Sequence, residues 1–225
     1  MAAPDFFRHF DEIFVINLRR RADRRAQVRA ELARLGLLGN PKVRFFEAIE
    51  PEKPGSFTSR GARGIYLSQL AVLTHAAQQG RSVLILEDDA DFTGAVWDFI
   101  MPATWDIVYG GHNASNTQDL MNSDIIGAHC MGFSARAAER LVPYLEGLLT
   151  RPDHPPIDGA YVWFRRNDTE LTTVFADPVV AVQRSSRTDI AAQPWFDRLP
   201  GLRAVAGWAR SIRRAYGRLI RGSLA

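Results

Sequence analysis

The sequence predicts an α/β domain, a mostly parallel twisted sheet flanked by helices, and three observations carry that expectation. Short branched-apolar runs alternate with segments of helical spacing through most of the chain. Proline, glycine and serine gather between them. One apolar run, residues 83–92 (VLILEDDADF), stops abruptly in four acids, and the carboxyl end of a strand is where open α/β sheets bind ligands.

Residues 11–18 (DEIFVINL) have the character of a buried strand. Residues 23–37 then space Val28, Leu32 and Leu35 as a helix, with Gly36 and Gly39 marking its end. A second strand is expected over 42–46, a loop over 50–61, a helix over 65–79 and a third strand over 83–86. Residues 105–109 (WDIVY) and 125–133 (IIGAHCMGF) read as further strands, and Ser134 caps a helix reaching about residue 149. A shorter helix over 158–166 and a last strand over 179–183 complete the expectation, with no internal repeat.

Composition bounds the function. A chain of 225 residues, 46% hydrophobic and 24% charged, can bury a substantial core and is ordinary for a soluble globular protein. Cys130 stands alone, which rules out an intrachain disulfide and a cysteine-bound zinc and suits a reducing compartment. The start, MAAPDFFRHFDE, lacks the basic and apolar regions of a secretory leader, and no apolar run reaches spanning length, so a cytoplasmic protein is expected. The net charge of +3 is uneven: residues 198–225 hold seven arginines and no acid, which leaves the remainder net acidic and argues against a nucleic-acid partner. A folded domain over 1–197 followed by a basic tail over 198–225 is the expected organisation.

The acids of residues 83–92 carry the chemistry. In an extended chain Glu87, Asp89 and Asp91 share one face and Asp88 points the other way. Carboxylates on one side can share a hard divalent cation, and oxygen donors without histidine or cysteine favour Mg²⁺ or Mn²⁺, which take substrate phosphates as further ligands. The competing reading is a solvated loop or a helix start after Asp91, but four acids exceed what a cap requires. No GxxxxGK[ST] loop occurs, which counts against a P-loop NTPase. In residues 15–25 (VINLRRRADRR) a strand ends among guanidinium groups that can grip phosphate, while Asp23 can cap the next helix or orient an arginine. His75 and His129 read as structural histidines, and Trp105, Tyr109 and Trp163 as core aromatics sooner than sugar-stacking platforms.

In this order VINLRRRADRR, GARGIYLSQLAVL, VLILEDDADF, GAHCMGFSARAAERL, PID and QRSSRTDI resemble glycosyltransferase family 25, the lipopolysaccharide-type sugar transferases, over about residues 12–190. The resemblance implies a GT-A-like nucleotide-sugar-binding fold, a UDP-sugar donor, often UDP-galactose, Mn²⁺ or Mg²⁺, and inversion at the anomeric carbon. It matches Asn17, Leu18, Arg20, Asp23 and Arg24 to the family's N-terminal motif and Glu87, Asp88 and Asp89 to its acidic motif. The expected metal ligands are Glu87, Asp89 and Asp91. Gln183, Ser186 and Asp189 match a C-terminal polar element, with Thr188 in place of serine. The chain departs from the family where Ser68 is followed by Gln69 instead of histidine, and where Tyr66 replaces cysteine. Gln69 can hydrogen-bond but cannot carry a proton at neutral pH.

An inverting transfer needs a base opposite the departing UDP, and Asp158, in the family's Pro-x-Asp element, is the candidate, with an ordinary helix cap as the equal alternative. The tail spaces Leu202, Val205, Trp208, Ile212, Tyr216 and Leu219 as a basic amphipathic helix, suited to an anionic membrane surface or to packing on the domain. The expected activity is transfer of a hexose, galactose foremost, from UDP to a hydroxyl of a cell-envelope glycan or glycolipid such as lipopolysaccharide, at the inner face of the plasma membrane. The rivals are a noncatalytic nucleotide-sugar or glycan-binding relative and a nucleotidyltransferase.

Overall fold

The computed structural model describes residues 3–184. A 3-10 turn, Asp5–His9, precedes β1 (Glu12–Asn17), α1 (Ala22–Arg34), β2 (Val43–Glu47) and α2 (Arg60–Gln79). Then come β3 (Val83–Glu87), β4 (Ala90–Phe92), a second 3-10 turn (Gly94–Trp97), β5 (Ile107–Tyr109), β6 (Asn113–Ala114), β7 (Ile125–Ile126) and β8 (Cys130–Phe133). Helices α3 (Ala135–Leu149) and α4 (Ile157–Asn167) and strands β9 (Thr173–Phe175) and β10 (Ala181–Gln183) finish the described chain.

The central sheet has six strands in the order β2-β1-β3-β8-β5-β9. β1 runs parallel to β2 and β3, and β5 to β9, while β8 lies antiparallel between β3 and β5. Five strands therefore point one way, the mostly parallel α/β sheet flanked by helices that the sequence predicts. Both faces are covered, so strand side chains alternate between two cores. Ile13, Val15, Leu84 and Leu86 enter the layer of α1 and the N-terminal phenylalanines, with Val28, Leu32, Phe6 and Phe10. Phe14, Ile16, Val83 and Ile85 face α2, α3 and α4, with Leu73, Leu141 and Tyr161.

Several boundaries differ from expectation, each for a local reason. Helix α2 begins at Arg60, inside the expected loop, because the Ser59 hydroxyl accepts from the Ala62 amide and caps it. Gly64, just before the expected helix, lies inside α2, where a Cβ would stand 2.6 Å from the Ile49 carbonyl oxygen. The single strand expected over 125–133 breaks into β7 and β8 at Gly127, whose φ of 104° a side chain would strain. The chain after Asp88 and Asp89 forms β4, paired antiparallel with β10, and no helix starts at Asp91. The edge strand β9 was not anticipated. Ser134 caps α3 as expected, accepting from the Ala137 amide at 3.0 Å.

Glu12, buried at the start of β1, meets His75 at 2.8 Å, Arg44 at 3.2 Å and Arg81 at 3.3 Å. His75 is thus a half-exposed hydrogen-bond partner of Glu12 and not a core histidine. Tyr109 is buried, whereas Trp163, expected in the core, is exposed on α4. The basic tail lies outside the described residues, as does Asp189. Among the described residues no helix is long and apolar enough to cross a membrane.

Candidate active site

Asn17 closes β1 and Glu87 closes β3, so adjacent parallel strands deliver them to the same end of the sheet. Asp88 and Asp89 follow in a tight turn, which breaks the extended alternation expected for the four acids. Asp88 and Asp89 instead turn together toward α1. The Arg24 Nη1 donates to Asp88 Oδ1 at 2.9 Å and lies 3.4 Å from Asp89 Oδ2. Asn17 Nδ2 donates to Asp88 Oδ2 at 2.7 Å, and Gln183 Nε2 approaches Asp89 Oδ2 at 3.3 Å. The strand pairing of β10 with β4 is what brings Gln183 there, 94 residues away in sequence.

Charge is in excess at this point. The Glu87 carboxyl is pushed up to about 8, chiefly by burial and then by the nearby Asp89, Asp158 and Asp88. Asp89 is raised as well, by burial, although Arg24 pulls against the shift. Asp158 therefore shares one electrostatic field with the strand-end acids. It sits in the first turn of α4 behind Pro155 and Pro156, with Pro156 as the N-cap residue. Its Oδ2 accepts from the Gly127 amide at 3.2 Å and its Oδ1 from the Gly159 amide at 2.9 Å. Burial raises its pKa and these amides oppose the rise. It is a partly buried carboxylate fixed by backbone, and it is not the cap itself.

Asn17 has a further property. Its Nδ2 also meets the Arg21 carbonyl at 3.3 Å, so two acceptors fix the orientation of the amide. Its Oδ1 is buried and has no hydrogen-bond partner. A buried acceptor beside a cluster of carboxylates suits a cation, and the donors here are all oxygen. Among the described residues no three histidine, cysteine or acid side chains stand together as a complete metal cage. Glu87 with Asp88 or Asp89, all oxygen donors, could hold Mn²⁺ or Mg²⁺ through one or two carboxylates.

Other expected residues are dispersed. Asp91 lies on β4 with its carboxylate forked by the Arg184 guanidinium. Arg20 pairs with Glu50 at 3.1 Å on the surface. Asp23 binds Arg21 through both oxygens, at 2.9 and 2.8 Å, so it orients an arginine, and this pairing lowers its pKa to about 2. Leu18 contributes its carbonyl, which accepts from the Arg21 amide and tightens the turn before α1.

Three participants escaped sequence reasoning. The Tyr161 hydroxyl donates to Gln69 Oε1 at 2.6 Å, which turns the Gln69 amide nitrogen toward Glu87 Oε1 and the Ala128 carbonyl, each at 3.5 Å. Tyr161 is three residues beyond Asp158, on the same face of α4, the spacing that could have flagged it. Ser68 meanwhile caps the Ile49 amide and bonds the Gly64 carbonyl. Gly111 is the second: a Cβ there would come 2.1 Å from His129 Nε2 and 2.5 Å from the Ala181 oxygen. Gly127 is the third, through its amide bond to Asp158. His129 itself is buried, with its pKa lowered mainly by burial, and its Nε2 stands 3.3 Å from the Ala181 carbonyl, a structural role as expected.

No family model and no curated protein sequence matches the chain. Among solved structures, it is similar to a glycosyltransferase involved in the glycosylation of the major capsid of PBCV-1. The identity is 10%, the TM-score 0.46, and the match covers 74% of this chain and 81% of that one.

Proposed function

We propose that the chain is a metal-dependent, inverting glycosyltransferase of GT-A type that moves a hexose, galactose foremost, from UDP to a hydroxyl of a cell-envelope glycan. The supporting observation is that Glu87, Asp88 and Asp89 meet at the carboxyl ends of β1 and β3 with Asp158 in the same field. These are the segments on which the family resemblance rests.

Glu87 and Asp89 would hold Mn²⁺ or Mg²⁺ with Asp88 in support. The cation would supply neutralisation of the diphosphate's charge. Arg20, Arg24 and the turn carrying Asn17 and Leu18 would bind the diphosphate oxygens and orient the donor. Asp158 takes the proton from the acceptor hydroxyl as that oxygen bonds to the anomeric carbon and the bond from that carbon to the UDP oxygen breaks. Its raised pKa suits a base.

The test is mass spectrometry of UDP-hexoses incubated with glycan acceptors and Mn²⁺, using wild type and Asp89→Ala. Transfer by wild type and at least about a 100-fold loss in the variant are expected. Wild-type turnover in Asp89→Ala removes the metal role. Gln69 in place of the family's histidine favours a second reading, a noncatalytic binder, whose signature is tight UDP and Mn²⁺ binding with neither transfer nor donor hydrolysis.

A further inference from the structure

Arg24 leaves the first turns of α1 and reaches the same carboxylates a cation would use. Its side chain is 10% exposed, those of Asp88 and Asp89 8% and 4%. Desolvation at such depth strengthens both the attraction of Arg24 to the acids and its repulsion of any second cation. Yet the guanidinium leaves demand unmet. The Asn17 Oδ1, on the amide whose nitrogen donates to Asp88, is buried without a partner. A planar fork directs its donors along fixed lines, whereas a dication accepts oxygen ligands from several directions.

We propose that Arg24 and a divalent cation compete for Asp88 and Asp89, so that cation binding turns the guanidinium away from the acids and presents it to the incoming diphosphate. The inference rests on the metal-binding reading above and adds an order to it: cation first, then nucleotide. Arg24 is thereby a positioning residue for the acids and a ligand for the donor, in sequence. A released guanidinium in the first turn of α1 remains beside the site, and its paired N–H groups match phosphate oxygens.

Free Mn²⁺ is followed by electron paramagnetic resonance as it is titrated into wild type, Arg24→Gln and Arg24→Lys. Competition makes Arg24→Gln bind Mn²⁺ at least about tenfold more tightly than wild type. It also gives that variant the larger Mn²⁺-induced rise in melting temperature. UDP added to the Mn²⁺-loaded proteins then binds Arg24→Gln at least about tenfold more weakly than wild type. Should Arg24→Gln not fold, Arg24→Met, which also removes the charge, carries the comparison, with Arg24→Lys as the charge-retaining control. Tighter Mn²⁺ binding than wild type supports competition. Mn²⁺ affinity equal to or below that of wild type overturns competition and leaves the metal reading standing. No Mn²⁺ binding by any of the three proteins overturns both.

Discussion

Glu87 sits where an apolar strand meets three other carboxylates, and that setting makes its charge state a stability term. Its ordinary pKa is 4.5 and burial with Asp89, Asp158 and Asp88 lifts it to about 8. Between those values the folded protein keeps a proton that the unfolded chain has lost, so stability falls as pH rises, by up to about 1.4 kcal/mol per pH unit. The contribution is intact below pH 4.5 and is lost as pH climbs through 8. Glu87→Gln, which cannot ionise, should show a flatter profile and exceed wild type in stability at pH 8. Urea unfolding at pH 5, 6.5 and 8 in the presence of a chelator checks this, and parallel profiles for the two proteins would refute it. At this scale the acids, Asn17 and Arg24 were legible as residue types. Their pairing was not, because the turn at Asp88 and Asp89 cancels the alternation that an extended chain would impose.

Elements converge on the site through close backbone approaches that only glycine permits. At Gly111, just beyond β5, a Cβ would collide with His129 Nε2 and the Ala181 oxygen. Gly111→Ala should therefore displace β10, which carries Gln183 to Asp89, and cost roughly 1–3 kcal/mol. Gly94→Ala, with nothing within 4 Å of the new methyl, serves as the control and should change stability by less than about 0.5 kcal/mol. Equal melting temperatures for the two variants would refute the close-packing account. The longer elements were legible because α1, α3 and β3 have strong periodicity and clear ends. Two short ones were not: β4 and β9 have three residues each and owe their pairing to partners far along the chain, whereas β10 was expected as a strand but its pairing with β4 was not.

The described residues form a three-layer α/β sandwich whose acidic corner lies at one end of the sheet and whose Glu12 ion cluster begins at the other. The sequence adds a tail with seven arginines and no acid over 198–225, whose apolar positions recur at three and four. Such a tail suits an anionic lipid surface. Removing residues 202–225 should abolish co-sedimentation with vesicles containing phosphatidylglycerol while leaving Mn²⁺ and UDP binding unchanged. Undiminished vesicle binding by the truncated protein would refute the membrane role.

By itself the sequence determined the layer architecture, since alternating strand and helix periods leave few ways to bury two apolar faces, and it marked the end of β3 as the place where charge accumulates. Tertiary structure decided which groups meet there. Arg24, Gln183, Tyr161 and Gly127 lie 64, 94, 92 and 31 residues from the partners they touch, and contacts of that span depend on strand order and helix docking. Local patterning encodes neither.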